Sequence, residues 1–176
     1  MTDAELARLL REHAYLEGDF VLRSGRRSSY YLDKYRFETQ PALLGALGER
    51  IAAGVRETAP EAARLAGPEL GAVALAAAAS LASGLPFLIV RKEAKGYGTE
   101  RRVEGAFAAG EEVCLVEDVV TSGGAAAEAV EALRNAGLTC RTAVCVVDRE
   151  EGGVDALARR GVRLHPLFRA RDLLQA

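Results

Sequence analysis

Val113-Cys114-Leu115-Val116 runs directly into Glu117-Asp118, and Val119-Val120 then leads to Thr121-Ser122-Gly123-Gly124-Ala125. An apolar strand is thus followed by a carboxylate pair, a loop of small hydroxyl and glycine residues, and a helical pattern. A strand that turns through glycine into a helix presents backbone N–H groups and the positive end of a helix dipole, which together cradle a phosphate. Two carboxylates at the end of the strand would repel a bare phosphate, so they call for hydroxyls or a metal. A ribose 5-phosphate carries a phosphate and a diol, and satisfies both halves. The segment lacks the lysine of a Walker A loop and the chain has no G-x-G-x-x-G, which disfavours a P-loop NTPase and a dinucleotide fold.

The rest of the chain alternates in the same way. Asp3 is expected to cap a helix running to about Tyr15, with Leu6, Leu9 and Leu10 on one face. Phe20-Val21-Leu22 and Ser29-Tyr30-Tyr31-Leu32 read as a hairpin around Arg23-Ser24-Gly25-Arg26. Thr39 is expected to cap a helix with Pro41 in its first turn. Arg64-Leu65-Ala66 is a short strand, Gly67-Pro68-Glu69-Leu70-Gly71 a tight loop, and Leu70 to Leu81 an alanine-rich buried helix. Phe87-Leu88-Ile89-Val90 is a fully apolar strand. The helix from about Ala125 to Asn135 stops at Gly137, and Thr142–Val147 forms a strand ending in Asp148-Arg149. A short helix around Val154 to Arg159, a run at Val162-Arg163-Leu164 and a helical tail complete the chain. Apolar strands separated by helices argue an α/β fold with a mostly parallel sheet covered on both faces. Ligands of such sheets sit at the carboxyl ends of the strands. Four segments land there: Gly67–Gly71, Arg91–Arg102, Glu117–Gly124 and Asp148-Arg149. The reading is one domain over residues 1–176, with 1–40 an appended helix and hairpin and 41–176 the α/β core.

Composition narrows the function. A net charge of -2 gives no general footprint for nucleic acid or an acidic membrane surface. No apolar run suits a membrane span, and the acidic start Met1-Thr2-Asp3-Ala4-Glu5 lacks a signal-peptide pattern, so a cytoplasmic location is expected. Cys114, Cys140 and Cys145 read as buried small hydrophobes. No His/Cys/Asp set stands at metal-ligand spacing. Lysine is confined to Lys34, Lys92 and Lys95. Two of the three fall in Arg91-Lys92-Glu93-Ala94-Lys95-Gly96-Tyr97-Gly98, a charged loop punctuated by glycine, which points to a need for ammonium groups there.

These motifs carry a resemblance. Val116–Gly124 is similar to the phosphoribosyl-diphosphate (PRPP) signature of type I phosphoribosyltransferases. Arg91–Gly98 resembles the flexible loop of the orotate phosphoribosyltransferase family, Arg23-Ser24-Gly25-Arg26 with Ser29-Tyr30-Tyr31 its N-terminal hood, and Asp148–Gly152 its orotate-side turn. The match spans nearly the whole chain, in order. The resemblance implies the type I phosphoribosyltransferase fold, transfer of the phosphoribosyl group from PRPP to orotate, and magnesium held mainly by PRPP itself. It implies a homodimer in which Arg91, Lys95 and Tyr97 serve the neighbouring site and Lys92 its own.

The residues then take expected roles. Glu117 and Asp118 meet the ribose hydroxyls and place negative charge beneath a ring that becomes oxocarbenium-like. Val119, Val120, Thr121, Ser122, Gly123, Gly124 and Ala125 wrap the 5-phosphate, and Thr121 also approaches the base. Arg91, Lys92, Lys95 and Tyr97 face the leaving pyrophosphate, with Lys95 catalytic; Tyr97 stands where many relatives carry histidine and is a poor proton donor near neutral pH. Arg149 is the orotate partner, and Arg23, Tyr30, Tyr31 and Lys34 are candidates to cover the base. Some relatives carry a lysine in the loop equivalent to Gly67–Gly71; this chain does not. The competing readings are an adenine-type purine phosphoribosyltransferase and a PRPP-sensing regulator that binds nucleic acid.

Overall fold

Helix α1 (Asp3–Ala14) is opened by Thr2 and not by Asp3: Thr2 and Glu5 form a reciprocal capping box, which satisfies two end donors at once and outcompetes a cap one residue later. The computed structural model describes residues 1–21, 25, 27–93 and 102–175. Strand β1 (Tyr15–Val21) follows α1 immediately and pairs antiparallel with β2 (Arg27–Leu32), so the hairpin starts earlier than its apolar pattern suggests. Tyr15 and Tyr30 stack across it with centroids 5.3 Å apart. A one-turn helix, α2 (Tyr35–Glu38), comes next. Thr39 ends α2 and turns its hydroxyl back to donate to Tyr35 O, so the position before α3 (Pro41–Thr58) falls to Gln40. Pro41 fills the first turn, where its missing N–H costs nothing.

The core alternates as expected: β3 (Arg64–Pro68), α4 (Gly71–Ser83), β4 (Phe87–Val90), β5 (Val103–Glu104), β6 (Glu112–Val120), α5 (Gly124–Asn135), β7 (Thr139–Asp148), α6 (Gly153–Ala158), β8 (Arg163–Arg169) and α7 (Ala170–Gln175). The six strands of the core form one sheet in the order β5-β4-β3-β6-β7-β8, parallel throughout except for β5 at the edge. Strand β5 escaped the sequence reading because two residues carry no periodicity. Its pairing with β4 brings Arg91 N to within 2.7 Å of Arg102 O, so the two ends of the charged loop leave the sheet side by side.

Strand alternation divides the core into two faces. Cys114 and Val116 of β6 and Val144 and Val146 of β7 pack with α1, α3 and α4. Val113, Leu115, Ala143 and Cys145 pack with α5 on the other side. All three cysteines are free thiols within these layers, and burial pushes each thiol pKa upward, as inert small hydrophobes require. Helix α4 buries Leu75, Ala76 and Ala79 but leaves Leu81 90% exposed, so it is a one-faced helix and not a fully buried one. Among the described residues, no helix is long and apolar enough to cross a membrane.

Helices α3 and α4 meet at Gly48, where an added Cβ would come within 2.8 Å of the Ala78 backbone. Gly48→Ala is therefore expected to destabilise the fold by about 1–3 kcal/mol, the cost of overpacking a close contact, despite alanine's higher helix propensity. A urea unfolding midpoint equal to that of the parent would contradict this contact.

Candidate active site

The parallel strands β3, β6 and β7 end on one side of the sheet, and a cleft of about 700 Å³ opens there. Its lining includes Glu117 through Ala126, Lys92, Arg149, Lys34 and Tyr31. A second hollow, of about 440 Å³, lies at the opposite strand ends around Glu112, Thr142 and Arg163. It lacks the carboxylate pair, and its Arg141 is already paired with Glu112.

The phosphate cradle is built as the sequence suggests. Gly123 adopts φ +81°, a left-handed conformation open to glycine, and hands the chain to α5 with no side-chain cap. The first α5 hydrogen bond runs from Ala127 N to Gly123 O, so the N–H groups of the preceding turn point outward for an anion. Thr121 and Ser122 are exposed at the rim. Gly153, at the start of α6, supports the loop from beneath: a Cβ there would fall 2.4 Å from Val120 and 2.8 Å from Thr121 O. No motif in the sequence marked Gly153.

The carboxylates sit deeper. Glu117 and Asp118 are 6% and 4% exposed. As neighbours on a strand they leave on opposite faces. Glu117 Oε1 is buried without a hydrogen-bond partner. Burial, reinforced by the charge of Asp118, pushes the Glu117 pKa well above the usual carboxylate range. An orphaned acceptor of this kind is satisfied by a hydroxyl donor. Asp118 already has a partner: Lys34 Nζ donates to Asp118 Oδ2 at 2.6 Å. Burial alone would lower the Lys34 pKa, but Asp118 outweighs it and the net shift is upward. Lys34, expected over the base, thus has its ammonium on the ribose-side carboxylate. Glu38, also 4% exposed, joins this group, and the start of α4 closes it: a Cβ on Gly71 would fall 2.0 Å from Asp118 Oδ2 and 2.9 Å from Lys34 Nζ. Glu38 and Gly71 were not picked out from the sequence. The available signal was the i, i+4 spacing of Lys34 and Glu38 on one helical turn.

On the base side, Arg149 is 8% exposed, pairs with Glu151 at 3.1 Å, and lies over the Tyr30 ring at 4.5 Å. Tyr30 therefore sits between Tyr15 and Arg149, while Tyr31 lines the cleft. Lys92 is exposed at the cleft wall, and its backbone N–H donates to Glu69 Oε1. Arg91 is turned toward Glu69 and Glu104, at 3.9 and 3.8 Å. Lys95, Tyr97 and Arg23 lie outside the described residues. Among the described residues, no three His, Cys, Asp or Glu side chains converge as a metal cage. The divergence of Glu117 and Asp118 suits a divalent ion carried in by the ligand's own oxygens.

A doubly covered parallel sheet with a carboxylate pair and an uncapped glycine cradle at one strand end defines a sugar-phosphate transferase site. The family model of the phosphoribosyl transferase domain matches residues 37–162, and the chain belongs to that family. Within it the chain falls among the orotate phosphoribosyltransferases. The enzyme of that name from Methanocella arvoryzae is 49% identical over 98% of this chain and 97% of its own. The crystal structure of orotate phosphoribosyltransferase from Aeropyrum pernix superposes with a TM-score of 0.85 at 37% identity, covering 97% of this chain and 96% of that one. The Mycobacterium tuberculosis orotate phosphoribosyltransferase in complex with PRPP superposes at 0.80, with 30% identity over 97% and 98% of the two chains.

Gly71 tests the floor of the site. Gly71→Ala is expected to displace Asp118 and Lys34 and to lower stability by about 1–3 kcal/mol, through forced overpacking. A guanidinium unfolding curve superimposable on that of the parent would show that Asp118 does not lie against the α4 terminus.

Proposed function

We propose that this protein transfers the phosphoribosyl group of PRPP to orotate, giving orotidine 5′-monophosphate and pyrophosphate, a step of pyrimidine nucleotide synthesis. The observation that carries the reading is the buried, partly orphaned carboxylate pair beside the uncapped α5 terminus, with Arg149 across the same cleft. Orotate N1 gives up its proton and forms the new bond to the ribose anomeric carbon while the bond to pyrophosphate breaks; the electron pair leaves with the pyrophosphate, which takes up the proton directly or through solvent. The ring carries positive charge at the crossing. Thr121 to Ala125 hold the 5-phosphate, so the ring is anchored at one end. Glu117 accepts a ribose hydroxyl, and Asp118 contributes the fixed negative charge that the oxocarbenium-like ring needs in a site of low dielectric. Arg149, held over the Tyr30 ring, faces an anionic planar base with a planar cation.

Lys92, together with Arg91, Lys95 and Tyr97, is assigned to pyrophosphate, with Lys95 the cation that acts on the leaving group. Closure of this segment over the cleft would keep water from hydrolysing PRPP. Magnesium, held by PRPP oxygens, would neutralise pyrophosphate charge when bound. The assembly proposed is a homodimer in which Arg91, Lys95 and Tyr97 complete the neighbouring site. In it Lys92, which lines the cleft of its own chain, serves its own site. We further propose a cytoplasmic enzyme without nucleic-acid or membrane partners, in keeping with a net charge of -2. The appended segment 1–40 and core 41–176 are taken as one functional domain, joined by the Lys34–Asp118 pair.

A screen of free bases tests the assignment. The pure protein should consume orotate only when PRPP and magnesium are present. Turnover of adenine, hypoxanthine or guanine with orotate untouched would overturn the choice of base, and gel-shift binding of nucleic acid without turnover would favour the regulator. Lys95→Ala is expected to lower turnover by about a hundredfold or more, as loss of a transition-state cation does, with circular dichroism unchanged. Near-normal turnover would remove the loop from the chemistry.

A further inference from the structure

Helix α2 brings two residues to Asp118, one of which has no place in the chemistry above. Lys34 precedes α2 and Glu38 ends it, four residues apart and therefore on one face. Glu38 Oε1 is buried with no hydrogen-bond partner, and lies 3.1 Å from the point where a Gly71 Cβ would stand, a point also 2.0 Å from Asp118 Oδ2. Two carboxylates share this corner, with one ammonium that already belongs to Asp118. Two ionised carboxylates side by side away from water repel, and Glu38 Oε1 lacks a donor. One proton between them removes the repulsion and satisfies the orphaned acceptor.

We propose that Glu38 is a positioning residue for the transfer reaction: held as the neutral acid, it donates its proton to Asp118 and, with Lys34, fixes that carboxylate beneath the ribose. The inference rests on the function proposed above. The groups facing Glu38 are Asp118 and Glu117 from β6, and Lys34 and Asp33 from the turn before α2. The buried faces of α1 and α3 are apolar (Leu6, Leu10, Leu43, Leu47), and α4 contains no charged residue. Burial and then the charge of Asp118, against the opposing Lys34 ammonium, push the Glu38 pKa up to about 8. The folded chain therefore holds a proton that the unfolded chain releases near 4.5. The stability that this proton contributes is complete below 4.5 and is lost as pH rises toward about 8.

The test compares Glu38→Gln with Glu38→Ala. Glutamine keeps a donor without titrating. Its kcat near neutral pH should stay within about threefold of the parent, while alanine should lower kcat by about tenfold or more with a smaller change in the KM for orotate. The component of the parent's alkaline fall in kcat/KM that comes from Glu38 should be missing in the glutamine variant. Melting temperatures from about pH 5 to about pH 9 should fall more steeply for the parent than for Glu38→Gln. A glutamine variant as impaired as alanine, or parallel pH profiles for parent and glutamine, would overturn the proposal. If the parent failed to turn over orotate, the functional reading would fall, yet the melting comparison would still decide whether Glu38 holds the proton. If Glu38→Ala did not fold, the glutamine pH profile and melting series would decide alone.

Discussion

A charge on the last turn of a central strand has to be balanced locally, because the sheet on either side is dry. Asp118 sits at that place, and Lys34, 84 residues earlier, balances it at 2.6 Å. This pair does more than neutralise. It ties the hairpin and α2 to the sheet and so decides where Tyr30 and Tyr31 stand relative to the cleft. It also aligns one carboxylate oxygen. Replacing such a pair by apolar packing is often neutral or favourable for stability, so stability alone does not account for it. Glycine at position 71 belongs to the same constraint: only a residue without Cβ lets the start of α4 approach Asp118 so closely.

The three lysines illustrate how charge is distributed. Lys34 is on Asp118, Lys92 is on the wall of the same cleft, and Lys95 follows three positions later in the sequence. Arginine supplies the remaining cations, some of them in surface pairs such as Arg50 with Asp3 and Arg141 with Glu112. An ammonium is compact and strongly hydrated, and it suits contacts to single oxygens of phosphate or carboxylate. Arg149 shows the complementary use. Its guanidinium lies over the Tyr30 ring and pairs with Glu151, so one planar cation meets two partners.

What could be read from the chain depended on how local each feature was. The β6–loop–α5 unit is contiguous, so its strand, carboxylates, glycine cradle and helix were all visible as a pattern, and the structure assembles them as one piece. The parallel sheet was visible because short apolar strands such as Phe87–Val90 alternate with helical segments, although one face of that strand is only half-buried. The Lys34–Asp118–Glu38–Gly71 corner was not, because four residues from α2, α4 and β6 meet only after the tertiary fold has formed. Short elements also hid. The sequence Tyr35-Arg36-Phe37-Glu38 is one helical turn, too short for a period, and it displaced the expected cap at Thr39. Gly153 looked like an ordinary loop residue until its contact with Val120 and Thr121 was seen.

The protonation pattern has a consequence for how the site meets its ligand. With Glu38 and Glu117 neutral and Asp118 paired to Lys34, the floor of the cleft presents little net charge to an incoming polyanion. Three ionised carboxylates there would repel PRPP before it reached the cradle. As the bond to pyrophosphate stretches, positive charge grows on the ring above. An oxygen that is already fixed and buried interacts with that charge more strongly than one in water, even beside Lys34, because its surroundings reorganise little. The site therefore combines weak repulsion toward the ground state with strong attraction toward the ribosyl cation. That difference between two states, rather than tight binding of either, is what lowers a barrier.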